Sequence, residues 1–410
     1  LIQTSIDIYF DKLRLIHLSL KKTTPISDTN TIKMIFNGNR LTLILFFCLI
    51  TSILSAQRNY KHKQKIGKII ESVNNYWQTS HPLPASASWD ESVYHTGNME
   101  AYRTTGIETF RKYSETWAVH NQWKGAKSDD ISKWKYTYGE TDDYVLFGDW
   151  QVCFQVYCDL YKLAPDNNKI ARARQVMEYQ MSTSNKDYWW WVDGLYMVMP
   201  VMTKLYTITH NPLYLDKLHD YFVYADSVMF DPQAKLYYRD ARYVFPTHKT
   251  ANSKKDFWSR GDGWVFAGLA RIINDLPKNY KHKSLFITRY KQLAQSIVQY
   301  QQKGGYWTRS LLDPQQAPGY ETSGTAFFTY GLLWGINNGY LKDKKYTISA
   351  LQGWKYLTTI ALQPSGKIGY VQPIGENAIA DQMVNENSTS NFGVGAFLLA
   401  ASEMAKFTQQ

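Results

Sequence analysis

From residue 62 onward the chain is a nearly unbroken succession of segments whose apolar residues recur at helical spacing. Twelve such segments are expected, at 62–78, 96–103, 105–122, 143–163, 166–182, 191–208, 212–230, 261–276, 283–302, 322–339, 344–361 and 391–407. Asn211-Pro212 opens one of them, Asp231-Pro232 follows its end, and Gly339 closes another. Strand-like alternation is confined to Leu236-Tyr237-Tyr238-Arg239 and Ile368-Gly369-Tyr370-Val371. No Pro/Ser-rich linker separates two halves, so this stretch reads as a single all-α domain. Hairpins of helices every 40–60 residues or so, without a tight repeat consensus, suggest a closed toroid over an open solenoid.

The first 56 residues do not share this pattern. Residues 1–33 start with Leu and show no period, and are expected to be upstream translation that forms no part of the fold. From Met34 a basic residue, Arg40, precedes the apolar run Leu41 to Leu54 and the small-residue site Ser55-Ala56, which together read as a secretory signal over 34–56. The run is shorter than the roughly 20 residues of a spanning helix, so no stable membrane insertion is expected after its removal. Cys48 lies inside the run, against a lipoprotein anchor. The expectation is an exported, periplasmic protein whose single catalytic domain occupies 57–410.

Three Cys in 410 residues exclude a disulfide scaffold, and Cys153 and Cys158, five apart on a helical segment, are not expected to pair. Loss of residues 1–56 removes six Lys/Arg and three Asp, so the formal charge falls from +11 to +8. That balance favours acidic partners, while the scatter of the basic residues argues against nucleic acid. The chain has 31 Tyr and 14 Trp, more than a core of this size requires, and flat rings with polar tips suit a planar, polar ligand. The nine His are isolated and no metal-binding spacing occurs, so neither metal nor cofactor is expected. Gly261-Asp262-Gly263 and Gly393-Val394-Gly395 lack the third glycine of a nucleotide loop; the latter reads as close helix packing.

What remains is carboxylates set among aromatic rings. Asp193, within Tyr188-Trp189-Trp190-Trp191-Val192-Asp193-Gly194, reads either as a helix N-cap or as a general acid. Desolvation by the rings would raise its pKa and keep a proton available near neutrality, with the Trp faces free to stack on a sugar. Asp149 stands in a similar setting, Phe147-Gly148-Asp149-Trp150. A third cluster is Asp256-Phe257-Trp258-Ser259-Arg260-Gly261-Asp262-Gly263-Trp264, where Arg260 suits a ligand carboxylate and Trp264 a sugar ring, against the alternatives of an ion pair and core packing. Glu321-Thr322-Ser323-Gly324-Thr325 resembles a helix cap.

Trp191-Val192-Asp193-Gly194-Leu195-Tyr196-Met197, then Arg260-Gly261-Asp262-Gly263-Trp264, then Glu321-Thr322-Ser323-Gly324-Thr325-Ala326, in that order, resemble glycoside hydrolase family 105. Its members are unsaturated rhamnogalacturonyl and related uronyl hydrolases, kin to the unsaturated glucuronyl hydrolases of family 88. The resemblance runs from about residue 60 to the C-terminus. It implies an (α/α)6 barrel of six hairpins. It also implies removal of a 4,5-unsaturated uronic acid, galacturonyl or glucuronyl, from the non-reducing end of lyase-generated oligosaccharides. In that reaction a protonated Asp delivers a proton to C4, water adds at C5, and the hemiketal opens. By motif, Asp193 would be the acid/base. Asp149 would hold the water and sugar hydroxyls, its charge helping to keep Asp193 protonated. Trp190, Trp191, Arg239, Trp258, Arg260 and Trp264 would contact substrate.

Two departures bear on the substrate. The stretch between Asp149 and Asp193 is shorter than in the rhamnogalacturonan enzymes and lacks their His-containing segment, and Arg239 stands where the family usually has His. An additional Arg favours a more acidic oligosaccharide, with the unsaturated uronate linked to rhamnose as in rhamnogalacturonan or ulvan. The competing readings are a conventional inverting glycosidase or sugar epimerase on the same barrel, and a non-catalytic glycan-binding protein.

Overall fold

The computed structural model describes residue 57 and residues 59–407. The chain divides into two units, Leu1–Lys61 and His62–Gln410. Of the first, the described residues 57 and 59–61 are helical. The segments 1–33 and 34–56 lie outside the described residues. The second unit carries the fold. No described helix is long and apolar enough to cross a membrane.

Among its described residues, twelve helices of two turns or more follow in order: α1 (62–80), α2 (Trp89–Thr105), α3 (Glu108–His120), α4 (Cys153–Leu163), α5 (Asn168–Ser182), α6 (Met199–Thr209), α7 (Leu213–Met229), α8 (Ser259–Asp275), α9 (Lys283–Ile297), α10 (Thr322–Asn337), α11 (Lys344–Tyr356) and α12 (Asn391–Lys406). The even-numbered helices pack in succession around a ring, and α12 packs back on α2 to close it. The odd-numbered helices form the outer layer, each folded against the inner helix that follows or precedes it. This is the six-hairpin helical toroid expected of the sequence.

The two layers differ in pattern because they differ in what covers them. Outer α7 buries Tyr214, Leu215, Leu218, Tyr221, Phe222, Ala225 and Met229, one stripe at helical spacing. Inner α10 is buried on every side from Thr322 to Gly335, and α12 from Phe392 to Ala405. All-round burial requires small residues where helices touch. At the ring's closure a Cβ on Gly97 would stand 2.2 Å from the Gly395 carbonyl oxygen, and one on Gly395 would stand 2.4 Å from that of Val93. The reading of Gly393-Val394-Gly395 as close packing is therefore correct.

Helix starts depart from expectation where the inner ring meets the site. α2 begins at Trp89, seven residues before the expected 96, since Ser92 to Met99 are buried all round and show no amphipathic period. The expected 143–163 is split: residues before Cys153 form turns and a single 3-10 turn, Gly148–Trp150. The expected 191–208 is split at Val198 into the turn Gly194–Met197 and α6, where Pro200 near the start lacks the N–H a continuous helix would need. Leu236–Tyr237 pairs antiparallel with Phe230–Asp231, whereas Ile368 makes only a single bridge to Leu362. Cys153 and Cys158 are free and buried.

The inner helices run the same way, so their N-termini gather at one end and their C-termini at the other. Asn391 at the start of α12 bonds Asp90 at the start of α2, and Arg260 in the first turn of α8 bonds Ser323 in that of α10. The opposite end is tied by charge: Asp159 on α4 takes Arg103 Nη2 at 2.8 Å and Lys204 Nζ, with Arg271 close by.

Candidate active site

The turn Gly148–Trp150 and the turn opened by Asp193 lean on one ring. A Cβ on Gly148 would stand 3.0 Å from the Trp191 indole, and one on Gly194 3.2 Å. Trp191 is buried between these turns, packed on Phe147 at 4.7 Å and Trp190 at 4.9 Å. Asp149 and Asp193 are thereby set as neighbours, each half-buried. The Asp193 side chain caps no helix N–H, and its Oδ2 is buried without a partner. A carboxyl at a helix start that spends nothing on the helix is available for chemistry.

The chain after Tyr238 supplies the positive charge. Trp191 bridges Asp240 and the Val192 N–H donates to the Arg239 carbonyl at 2.8 Å, fixing Arg239 beside the Asp193 turn. Its guanidinium lies over the Trp190 ring, 5.5 Å from the centroid, and Nη1 bonds Asp240. Arg242 also grips Asp240, and the Glu376 carboxylate meets both arginines. The Arg239 Nε is buried and has no partner.

Burial pushes both carboxyls up. Asp149 is driven well above the usual carboxylate range, first by burial and then by the charge of Asp193, with Arg239 opposing. Asp193 is raised by burial and drawn back by Arg239 and Arg260. Two neighbouring acids of this kind hold a proton between them more readily than free carboxyls do. The N-termini of the inner helices, all at this end, add positive potential for an anionic ligand. Nearby, burial and Asp90 raise Glu91 to about 7, with Asn391 as its hydrogen-bond partner. Asp149 faces a cavity of about 300 Å³ shared with Trp89, Asp90, Tyr138, Phe147, Trp150 and Ile374. A larger space, about 1000 Å³, opens at the far end among Asn274, Asn337 and Lys406, away from both aspartates.

Several expected site residues have other work. Arg260 is 1% exposed, and its Nη atoms are taken by the carbonyls of Gln372 at 2.7 Å and Pro373 at 2.9 Å. It is wedged between Trp258 and Phe392, and burial pulls its pKa down to about 10. Its Nε, like that of Arg239, is buried without a partner, but both Nη atoms are spent on the chain and, unlike Arg239, its side chain does not reach the surface. Trp258 is buried, its indole N–H donating to Gln372. Trp264 is fully buried among Phe327 at 4.4 Å, Tyr196 at 5.0 Å and Trp89, so neither face is open to a sugar. Trp191 is buried likewise. Of the expected stacking rings, Trp190 alone keeps partial exposure. Asp262 holds the hairpin by accepting from the Tyr237 N–H at 2.8 Å, and Glu321 caps α10 through the Ser323 and Gly324 N–H groups. The sequence reading missed Asp90, Glu91, Asp240 and Glu376. Ser88 before Asp90-Glu91 was a helix-start signal, and Asp240 directly follows Arg239; Glu376, in an aperiodic loop, left none.

A closed ring of helical hairpins with a half-buried carboxyl pair, an arginine and converging helix N-termini at one end defines an enzyme class built for acidic saccharides. The chain belongs to Glycosyl Hydrolase Family 88, whose profile matches residues 61–408. It is thus a glycoside hydrolase by family. An unsaturated 3S-rhamnoglycuronyl hydrolase of Formosa agariphila is 33% identical over 389 residues, covering 90% of this chain and 100% of that protein. A solved glycosyl hydrolase family 88 protein from Bacteroides vulgatus superposes with a TM-score of 0.82 at 59% identity, covering 84% of this chain and 99% of that one. A solved polysaccharide lyase superposes equally, TM-score 0.82, at 64% identity over 84% of this chain and 97% of its own.

Proposed function

We propose that this protein removes a 4,5-unsaturated uronic acid from the non-reducing end of an acidic oligosaccharide by hydrating the C4=C5 double bond. The observation that carries this reading is the raised, neighbouring pair Asp149 and Asp193 beside an arginine whose Nε has no partner. The uronate carboxylate pairs with Arg239, not with the occupied Arg260. That pairing offsets the cation that draws the Asp193 pKa down, so substrate binding itself favours the proton on Asp193. Asp193 then protonates C4, water held at Asp149 adds at C5 and gives up a proton to the now ionised Asp193, and the hemiketal opens to release the remaining sugar. Burial raises both carboxyls in the free protein, so Asp149 acts with Asp193 as a proton-sharing pair. A rhamnose next in the chain is supported by the rhamnoglycuronyl hydrolase relative, and the family 105 designation by the order of the three motifs. The apolar run and small-residue site over 34–56 support export to the periplasm.

One observation favours a second reading. The lyase at 64% identity points to β-elimination on the same uronate. There Arg239 would neutralise the carboxylate and acidify the C5 proton; a base takes that proton, the C4–O bond breaks, the double bond forms, and the leaving oxygen is protonated. The two readings predict opposite signals. With lyase-generated pectic, ulvan and arabinogalactan-type oligosaccharides, hydration bleaches the absorbance of the conjugated double bond. With the intact uronate glycans, elimination creates that absorbance. Persistent absorbance on the first panel sinks hydration; a rise on the second establishes elimination.

A further inference from the structure

Glu376 is an exposed carboxylate set beside both Arg239 and Arg242. Its segment is pinned at both sides by buried arginines: Arg260 holds the carbonyls of Gln372 and Pro373, and Arg309 those of Ile379 and Gln382, both at 3.0 Å. Between these fixed points the Glu376 side chain is 47% exposed. Its Oε2 lies 2.9 Å from Arg242 Nη2 and 3.4 Å from Arg239 Nη1. The same carboxylate acts on Tyr138, as Asp149 does, and Tyr138, Asp149 and Ile374 line one cavity. Glu376 is therefore at the mouth of the site. Asp240, by contrast, is buried and takes the Arg242 backbone N–H at 2.8 Å as well as both guanidiniums, so it is the permanent counterion of the pair.

We propose that Glu376 is an internal stand-in for the acidic group of the substrate. It occupies Arg239 and Arg242 in the free protein, and is displaced when a saccharide carboxylate or sulfate ester takes its place. An exposed ion pair contributes little, so an anionic ligand exchanges one pairing for another at small cost. A neutral sugar has nothing to exchange and leaves the arginines closed. Glu376 thus selects for charge on the ligand. This rests on the uronyl-saccharide reading above.

The test is calorimetric binding of glucuronic acid, with glucose as the neutral control, to the full protein and to Glu376→Gln. Circular dichroism confirms that the variant, changed at an exposed side chain, keeps its helices. Removal of the competing charge should tighten glucuronate binding roughly two- to fivefold, with no gain for glucose and a smaller gain at high salt. Equal or weaker glucuronate binding by the variant would overturn the role of Glu376 and leave the uronyl reading standing. No glucuronate binding by either protein would sink both.

Discussion

Trp191 presses its indole against Gly148 so closely that a Cβ on the glycine would stand 3.0 Å from the ring. The same ring backs Gly194, and each glycine adjoins one of the two aspartates. One buried side chain therefore sets the spacing of the carboxyl pair. The sequence reading assigned Trp191 to the substrate, but its contacts make it the spacer between the turns that carry the two carboxyls.

Gly148→Ala should leave the helical fold intact while spoiling that spacing. The added methyl meets Val198 at 2.9 Å as well as Trp191, so an overpacking cost of about 1–3 kcal/mol is expected. The Asp149 turn must shift, and misplacement on the order of 1 Å costs about 10²-fold in rate. Steady-state kcat beside a thermal melt checks both parts; unchanged kcat would remove Trp191 from its positioning role.

Asp193→Asn removes the transferable proton and should lower kcat by about 10²–10⁴-fold with helix content unchanged. Asp149→Asn has a second readout in stability. The Asp149 pKa is raised in the folded state, so its neutral form is tolerated at low pH and stability is lost as pH rises. The variant cannot ionise there. Its melting temperature should therefore gain on the wild type as pH increases, which melts across a pH series would show.

The outer layer was legible in the sequence because its helices are covered on one side only. α7 and α9 were placed to within a few residues for that reason. Trp89 to His95 were missed because burial on all sides from Ser92 onward erases the stripe. Asp149 and Asp193 could be singled out from their aromatic neighbours, but exposure could not be read from residue type. Trp264 and Trp190 look alike in sequence, yet one is fully buried and the other partly exposed. Nor does a sequence show that the carbonyls of Gln372 and Pro373 have claimed Arg260.

Arg239→Gln tests where the uronate carboxylate binds. Loss of the guanidinium should raise KM by at least tenfold if charge-assisted hydrogen bonds, about 1.5–3 kcal/mol each, hold the substrate. It should also shift the pH profile. The Arg239 cation draws the pKa of both Asp149 and Asp193 down, so its removal lets both rise, and the alkaline limb of kcat should move to higher pH. A KM effect without that shift would place Arg239 at the substrate but outside the electrostatics of the pair.

Asp159 anchors the end of the ring remote from the site. Burial alone would raise its pKa, but Arg103, Lys204 and Arg271 together hold it well below the usual carboxylate range. Asp159→Asn would leave three cations facing Glu100 and Glu403 with their shared counterion gone. Breaking a buried pair of this kind costs about 3–5 kcal/mol. The depressed pKa fixes the sign with pH: the stabilisation is present above the unfolded-state value of 3.8 and fades as pH falls further. Denaturant melts should therefore show the full deficit of the variant at pH 7, and a narrowing gap below that value. A deficit that ignored pH would mean that Asp159 acts by packing and hydrogen bonding, not by its charge.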